Sequence, residues 1–267
     1  MARFVALAAL LCLGSSACSP KDDRPANAHI TCDSGKCIDP GPGGGGGAEG
    51  GVEAGAEASG DAPTGVSVSG SVVLLTGDDF LTAVPYAEQA SVRMEGAAGL
   101  PVEGAYNGAT FSLDGVAEGQ GIWATVTPKA AAVLPTLQPA DTTASPLELA
   151  LVPASTIDTI YSFLSVPVQR EAGAAHVVLR FLNAKTGVPV TGVTVSHKGE
   201  AVAYDTGGSW SDTAPGTGVG GYAVVVNVTS AKAPNKQSFQ FNAPSASAGV
   251  YLLVQPDSVT LADVLVD

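Results

Sequence analysis

The run Val177-Val178-Leu179-Arg180-Phe181-Leu182 is followed by Lys185-Thr186-Gly187 and then by Val188 to Ser196, where Val190, Val193 and Val195 recur. A nearly unbroken apolar, β-branched run that stops at a glycine-containing turn reads as a buried strand. The residues beyond the turn alternate inward valine with outward polar positions, which is the second arm of the same unit. Working outward, further strands are expected at Ala201–Tyr204, Tyr222–Val228, Ser238–Phe241, Val250–Val254 and Val259–Val266. Upstream they are expected at Val66–Ser69, Val72–Leu75, Ala90–Met94, Thr110–Leu113, Ile122–Thr127 and Leu147–Val152. Short strands at intervals of about ten residues are the pattern of a sandwich. The fold class is therefore all-β, with two small sandwich domains over 66–153 and 176–267.

Turn chemistry and one helix complete that pattern. Asn107-Gly108 and Asp114-Gly115 are hairpin dipeptides. Thr76-Gly77-Asp78-Asp79 reads as a turn or loop. The connector 154–175 holds a short helix, since Ile157, Ile160, Tyr161 and Leu164 form a helical apolar stripe. Ser155 with Asp158 three residues on approximates a capping box, and Pro167 ends the segment. It reads as a connector or as packing against a sheet edge.

The stretch Asn183-Ala184-Lys185-Thr186-Gly187-Val188-Pro189-Val190-Thr191-Gly192-Val193-Thr194-Val195 resembles the opening of carboxypeptidase regulatory-like domains. Gly218-Val219-Gly220-Gly221-Tyr222 resembles the same family's glycine-then-aromatic strand, and residues 66–128 resemble it more loosely. The resemblance implies Ig-like/transthyretin-like sandwiches that act as spacers, folding aids or binding modules. It implies no catalysis.

The N-terminus carries an address. Arg3 precedes the apolar run Phe4 to Leu13, and Gly14-Ser15-Ser16-Ala17 precedes Cys18, the order of a secretory signal peptide over 1–17. A cysteine directly after the cut resembles the bacterial lipoprotein signal, which implies an acyl (palmitate) anchor on Cys18. Ordinary cleavage after Ala17 also fits and leaves the same first residue; lipidation is favoured because a lone exported thiol is a liability. The implied setting is a membrane reached through lipid, in the cell envelope, with Ser19 pointing to the outer membrane of a Gram-negative bacterium. Residues 18–65 follow as a Gly-rich tether with five glycines from Gly43 to Gly47. Such composition behaves as a flexible, disordered coil with a root-mean-square reach of roughly 40 Å. Within it, Cys32 and Cys37 are expected to form a disulfide, as exported cysteines do. A zinc site lacks a second pair of ligands, and a redox motif would be tighter.

Charge narrows the partners. Loss of Arg3 leaves 11 of the 12 basic residues against 25 acidic ones, a net of −14. That balance disfavours nucleic acid and anionic head groups. Candidate chemistry is sparse: there is no H-E-x-x-H and no G-x-S-x-G, and no catalytic residue, metal site or cofactor is expected. His29, His176 and His197 read as surface residues. The loop Asp205-Thr206-Gly207-Gly208-Ser209-Trp210-Ser211-Asp212 stands out. Asp205 and Asp212 could gather calcium, or Trp210 with Tyr204 and Tyr222 could stack on a glycan. The plain alternative is a turn whose tryptophan folds back as a lid. The expected function is a non-enzymatic binding or structural protein of the envelope, with an envelope protein or glycan as partner. A hydrolase with an unrecognised spatial triad is the competing class.

Overall fold

A computed structural model describes residues 30–33, 36–38, 65–198, 200–245 and 247–266. The expected signal peptide, Cys18 and most of the expected tether lie outside the described residues. The first elements are the hairpin strands β1 (Ile30–Asp33) and β2 (Lys36–Ile38). Then come β3 (Val66–Leu75), β4 (Ala83–Pro85), β5 (Ala90–Glu95), β6 (Pro101–Tyr106), β7 (Phe111–Val116) and β8 (Ile122–Pro128). They are followed by β9 (Val133–Leu134), β10 (Thr136–Ala140), β11 (Leu147–Pro153) and helix α1 (Ala154–Ser162). The second half holds β12 (Ala174–Asn183), β13 (Thr194–Ser196), β14 (Val202–Asp205) and β15 (Trp210–Ser211). It closes with β16 (Tyr222–Thr229), β17 (Asn235–Asn242), β18 (Ser247–Val254) and β19 (Val259–Val266). The fold is all-β with one short helix, as its alternating and apolar runs dictate.

One open sheet runs β15-β14-β16-β12-β19-β10-β8-β5-β6, and two smaller sheets cover parts of it. The sheet β13-β17-β18 lies on one face: Val177, Leu179 and Phe181 of β12 pack there with Phe239, Phe241 and Leu252. On the opposite face Val178, Val224 and Leu261 pack with Val73, Val152 and Ile157, from β3, β11 and α1. Strand β12 is thus covered on both sides, and its first nine residues are all buried. This is why it reads as a continuous apolar run, as parallel strands with two covered faces do; its parallel neighbour is β19, paired from His176 with Val259 to Asn183 with Val266. At the other end of the sheet, Val92, Met94, Ala124 and Val126 pack against Val68, Leu113 and Leu149 of the sheet built on β3, β7 and β11.

The two halves are hydrogen-bonded into one sheet. Val259 and Thr260 at the start of β19 pair in parallel with Thr136 and Leu137 of β10, opposite the edge that β12 occupies. Within the first half a further link crosses between layers. The buried Gln138 side chain donates to Ala150 O at 3.1 Å and accepts from Ala150 N–H at 3.2 Å, copying a backbone ladder.

Several local expectations are replaced. Asp114-Gly115 lies inside β7 and makes no hairpin; Gly115 has φ +82°, and the β3–β7 register shifts beside it. A glycine in that conformation serves a bulge as well as a turn. Asn107-Gly108 joins β6 to β7 across layers, since β6 pairs with β5 and β7 with β3. There the Asn107 carboxamide accepts the N–H groups of Ala109 and Thr110 at 2.9 and 3.0 Å. Helix α1 starts after Pro153 with no side-chain cap, so the Ser155–Asp158 box does not form.

The expected disulfide is corrected. Cys32 and Cys37 stand opposite each other in the register of the β1–β2 hairpin, between the pairs Thr31–Ile38 and Asp33–Lys36, and among the described residues no disulfide bond is present. The spacing that suggested a covalent bridge is the spacing of a tight hairpin, whose backbone ladder closes the loop. The expectation of a membrane protein is corrected in one respect, that of crossing the bilayer. No described helix is long and apolar enough to cross a membrane, and the large sheet ends on free edge strands without closing on itself.

Candidate functional site

Two loops from opposite halves of the chain meet above the β14–β16 end of the large sheet. The first joins β3 to β4 and is closed by Thr76 N–H donating to Thr82 O at 2.9 Å. Within it the Asp79 carboxylate accepts Leu81 N–H at 3.0 Å, and Phe80 adopts a left-handed φ of +57°. That strained backbone drives the Phe80 ring fully inside, and its centroid sits 5.8 Å from both the Trp210 and Tyr222 rings. The Trp210 contact is edge-on, the favourable arrangement for aromatic quadrupoles.

The second loop runs from β14 through β15 to β16. Its anchor is Asp205, a buried carboxylate that accepts three backbone N–H groups: Gly218 at 2.9 Å, Gly220 at 2.8 Å and Tyr222 at 2.8 Å. The glycines make this approach feasible, because a Cβ on Gly218 would stand 2.4 Å from the Asp205 carbonyl oxygen. Gly207 and Gly208, with φ of +80° and +119°, turn the chain back so that Thr206 N–H donates to Ser209 O. Trp210 then ties this loop to the first, its indole N–H donating to Asp78 O at 2.8 Å.

Between the loops lies a cleft of about 700 Å³. Its floor is Leu81, Trp210 and Tyr222, all nearly buried, and its rim carries Phe163 and Val219, 42% and 71% exposed. Asp78 and Asp79 are exposed at one side, and Asp205 lies beneath. Among the described residues no lysine, arginine or histidine lines it.

The structure brings Asp205 and Trp210 of the sequence-derived candidates to this cleft but sends Asp212 elsewhere. Asp212 accepts Ser165 N–H at 2.9 Å and the Ser165 hydroxyl at 2.7 Å, and that hydroxyl holds its carboxyl below the ordinary value. It fastens the connector after α1 to β15. With Asp205 occupied by amides and Asp212 by Ser165, the two carboxylates do not converge. Among the described residues no group of three His, Cys, Asp or Glu side chains is placed to hold a metal. Trp210 lies folded onto Phe80 as a lid. Tyr204 belongs to the opposite face, where its hydroxyl donates to Val195 O at 3.2 Å and accepts Val195 N–H at 2.9 Å.

Two histidines read as surface residues are inside. His197 stacks on Phe239 at 4.1 Å and bonds Ser238 O and the Gln237 carboxamide, away from the exposed Ser196. His176 is 2% exposed, and burial together with the Arg170 charge pushes its pKa down to about 4. Sequence reasoning missed Phe80, which packs against Trp210, and the cleft residues Leu81, Phe163 and Val219. The signal available for the first two was an aromatic-aliphatic pair directly after Gly77-Asp78-Asp79, where a solvated turn has no use for either.

No protein-family model and no curated protein matches the chain. Among solved structures it is similar to a Streptococcal ancillary pilin, with 10% identity and a TM-score of 0.22 over 74% of this chain and 68% of that one. It is also similar to the D0-D1 domain of intimin, with 14% identity and a TM-score of 0.20 over 72% of this chain and all of that one. Likeness at this level carries no argument about the site. Of the resemblance to carboxypeptidase regulatory-like domains, the all-β sandwich character stands.

Proposed function

We propose that this chain is an exported, non-catalytic binding module of the cell envelope, acyl-anchored at Cys18, whose partner enters the cleft between the 76–82 and 205–222 loops. The observation that carries this reading is the cleft itself. Its volume falls within the range of about 300–1,000 Å³ typical of ligand sites. Its walls are fixed by hydrogen bonds: the Asp205 carboxylate pins one loop, Asp79 and the Trp210–Asp78 bond the other. Such preorganisation lowers the ordering cost of binding. The resemblance of residues 183–195 to a family of spacer and binding sandwiches fits a module of this kind. The order of Arg3, an apolar run and Cys18 supports export and acylation.

Trp123 and Trp210 are the two tryptophans. In a Trp123→Phe variant Trp210 alone reports on the cleft. Ligands that enter must alter its emission, and a Val219→Lys change at the exposed rim, which removes an apolar contact and adds a positive charge, must weaken them without lowering Tm. A ligand set that binds equally well to that variant would place the site elsewhere. For the anchor, metabolic acyl-labelling must mark the wild type and be lost in Cys18→Ser; label retained in the variant would end that part of the proposal.

A further inference from the structure

Resting on that binding reading, we infer that the cleft takes a positively charged side chain, lysine or arginine, presented with an adjacent apolar residue by an extended peptide segment of a partner protein. Three features converge on this chemistry. The first is charge. Asp78 and Asp79 stand exposed at the rim and Asp205 is buried beneath, while among the described residues no basic side chain lines the cavity. Backbone amides satisfy the Asp205 oxygens as hydrogen-bond acceptors but bring no formal positive charge. The local field therefore favours a cation in a partly desolvated space, where the attraction is stronger than in water.

The second feature is aromatic surface. Phe163 is half-exposed at the rim and the nearly buried Trp210 forms part of the floor, and aromatic rings attract ammonium and guanidinium groups. The protein already makes such a contact inside, with the Arg180 guanidinium 5.2 Å from the Tyr222 ring centroid. The third is size and shape. A single cationic head would leave Leu81, the Phe163 edge and Val219 uncovered, and these ask for an apolar neighbour on the same ligand. An anion would meet like charge at the rim, which provides discrimination by repulsion.

The test uses the mature full chain carrying Trp123→Phe. The probes are a capped hexapeptide with adjacent Lys and Phe, matched peptides with Gln or Glu replacing Lys, and N-acetyl-lysine amide. The Lys peptide is expected to shift Trp210 emission and to bind at least about tenfold more tightly than the Gln peptide at low salt, with the Glu peptide weaker still. In Asp78→Asn with Asp79→Asn, where the carboxamide oxygen at position 79 keeps the Leu81 bond, the Lys advantage is expected to fall to about twofold with Tm lowered only slightly. Equal binding of Lys and Gln peptides overturns the cation while leaving a cleft that binds peptide. N-acetyl-lysine amide binding as tightly as the hexapeptide overturns the peptide source. Silence of Trp210 toward every probe overturns the inference and the binding reading together.

Discussion

Asp205→Ala removes the acceptor of three backbone N–H groups at once, with Gly218, Gly220 and Tyr222 losing their partner. Hydrogen bonds to a charged acceptor contribute about 1.5–3 kcal/mol each, and a buried donor left without a partner costs about 1–3 kcal/mol. Gly220 lines the cleft and Gly218 is half-buried, so water can reach them, whereas the Tyr222 N–H is buried beneath the ring stack. The expected destabilisation is about 3–5 kcal/mol, large for a single substitution. With a urea m-value of about 2.5 kcal/mol per molar, the unfolding midpoint falls by about 1.5 M. Asp205→Asn keeps one carbonyl acceptor and loses the charge, so it lies near half of that. The assay is urea unfolding followed by fluorescence in the Trp123→Phe background. An Asp205→Ala midpoint within about 0.4 M of its parent, a change near 1 kcal/mol, refutes the view that this carboxylate organises the loop.

Other consequences follow from the same contacts. His176 has an ordinary pKa near 6.5 when unfolded and about 4 when folded, so the unfolded chain binds the extra proton between those values. Stability is therefore lost as pH falls from about 6.5 to 4, by up to about 3 kcal/mol, and a His176→Gln variant lacks that share of the slope when midpoints are compared across the window. Gln138→Leu strands Ala150 N–H and C=O between layers and is expected to cost about 2–4 kcal/mol in the same unfolding assay; a change below about 0.5 kcal/mol would contradict the inter-layer ladder. Because β19 joins the halves, single-tryptophan chains reporting through Trp123 in one half and Trp210 in the other are expected to unfold at one shared midpoint. Transitions separated by more than about 0.5 M urea would mean two independently folding units.

Much of the strand content was legible because it is written in local pattern. Val259–Val266 and Tyr222 to Val228 carry enough β-branched residues to be read directly, and Ile157, Ile160 and Tyr161 mark the helix. Where each strand goes was not legible. Parallel pairing of β3 with β11 and of β12 with β19 depends on partners about eighty residues apart, and local alternation says nothing about them. Strand β10 hid because Gln138 and Pro139 sit in it, the glutamine buried with Ala150 as a partner for its carboxamide. Strand β6 hid behind Pro101 and Gly104, both residues that weaken a strand reading. At the site, Asp205 and Trp210 were visible as an unusual polar loop around glycines. Phe80 was not, because its burial depends on a left-handed backbone that tertiary contacts impose on an aromatic residue.

The binding cleft is tested most directly by amide chemical-shift mapping on the mature chain titrated with the Lys-Phe hexapeptide. Saturable shifts should cluster on Asp78 to Thr82, Ser209 to Trp210 and Val219 to Tyr222, with Phe163 responding as well. Shifts that gather on the β13-β17-β18 sheet instead, or no saturable shift at any amide, would contradict it.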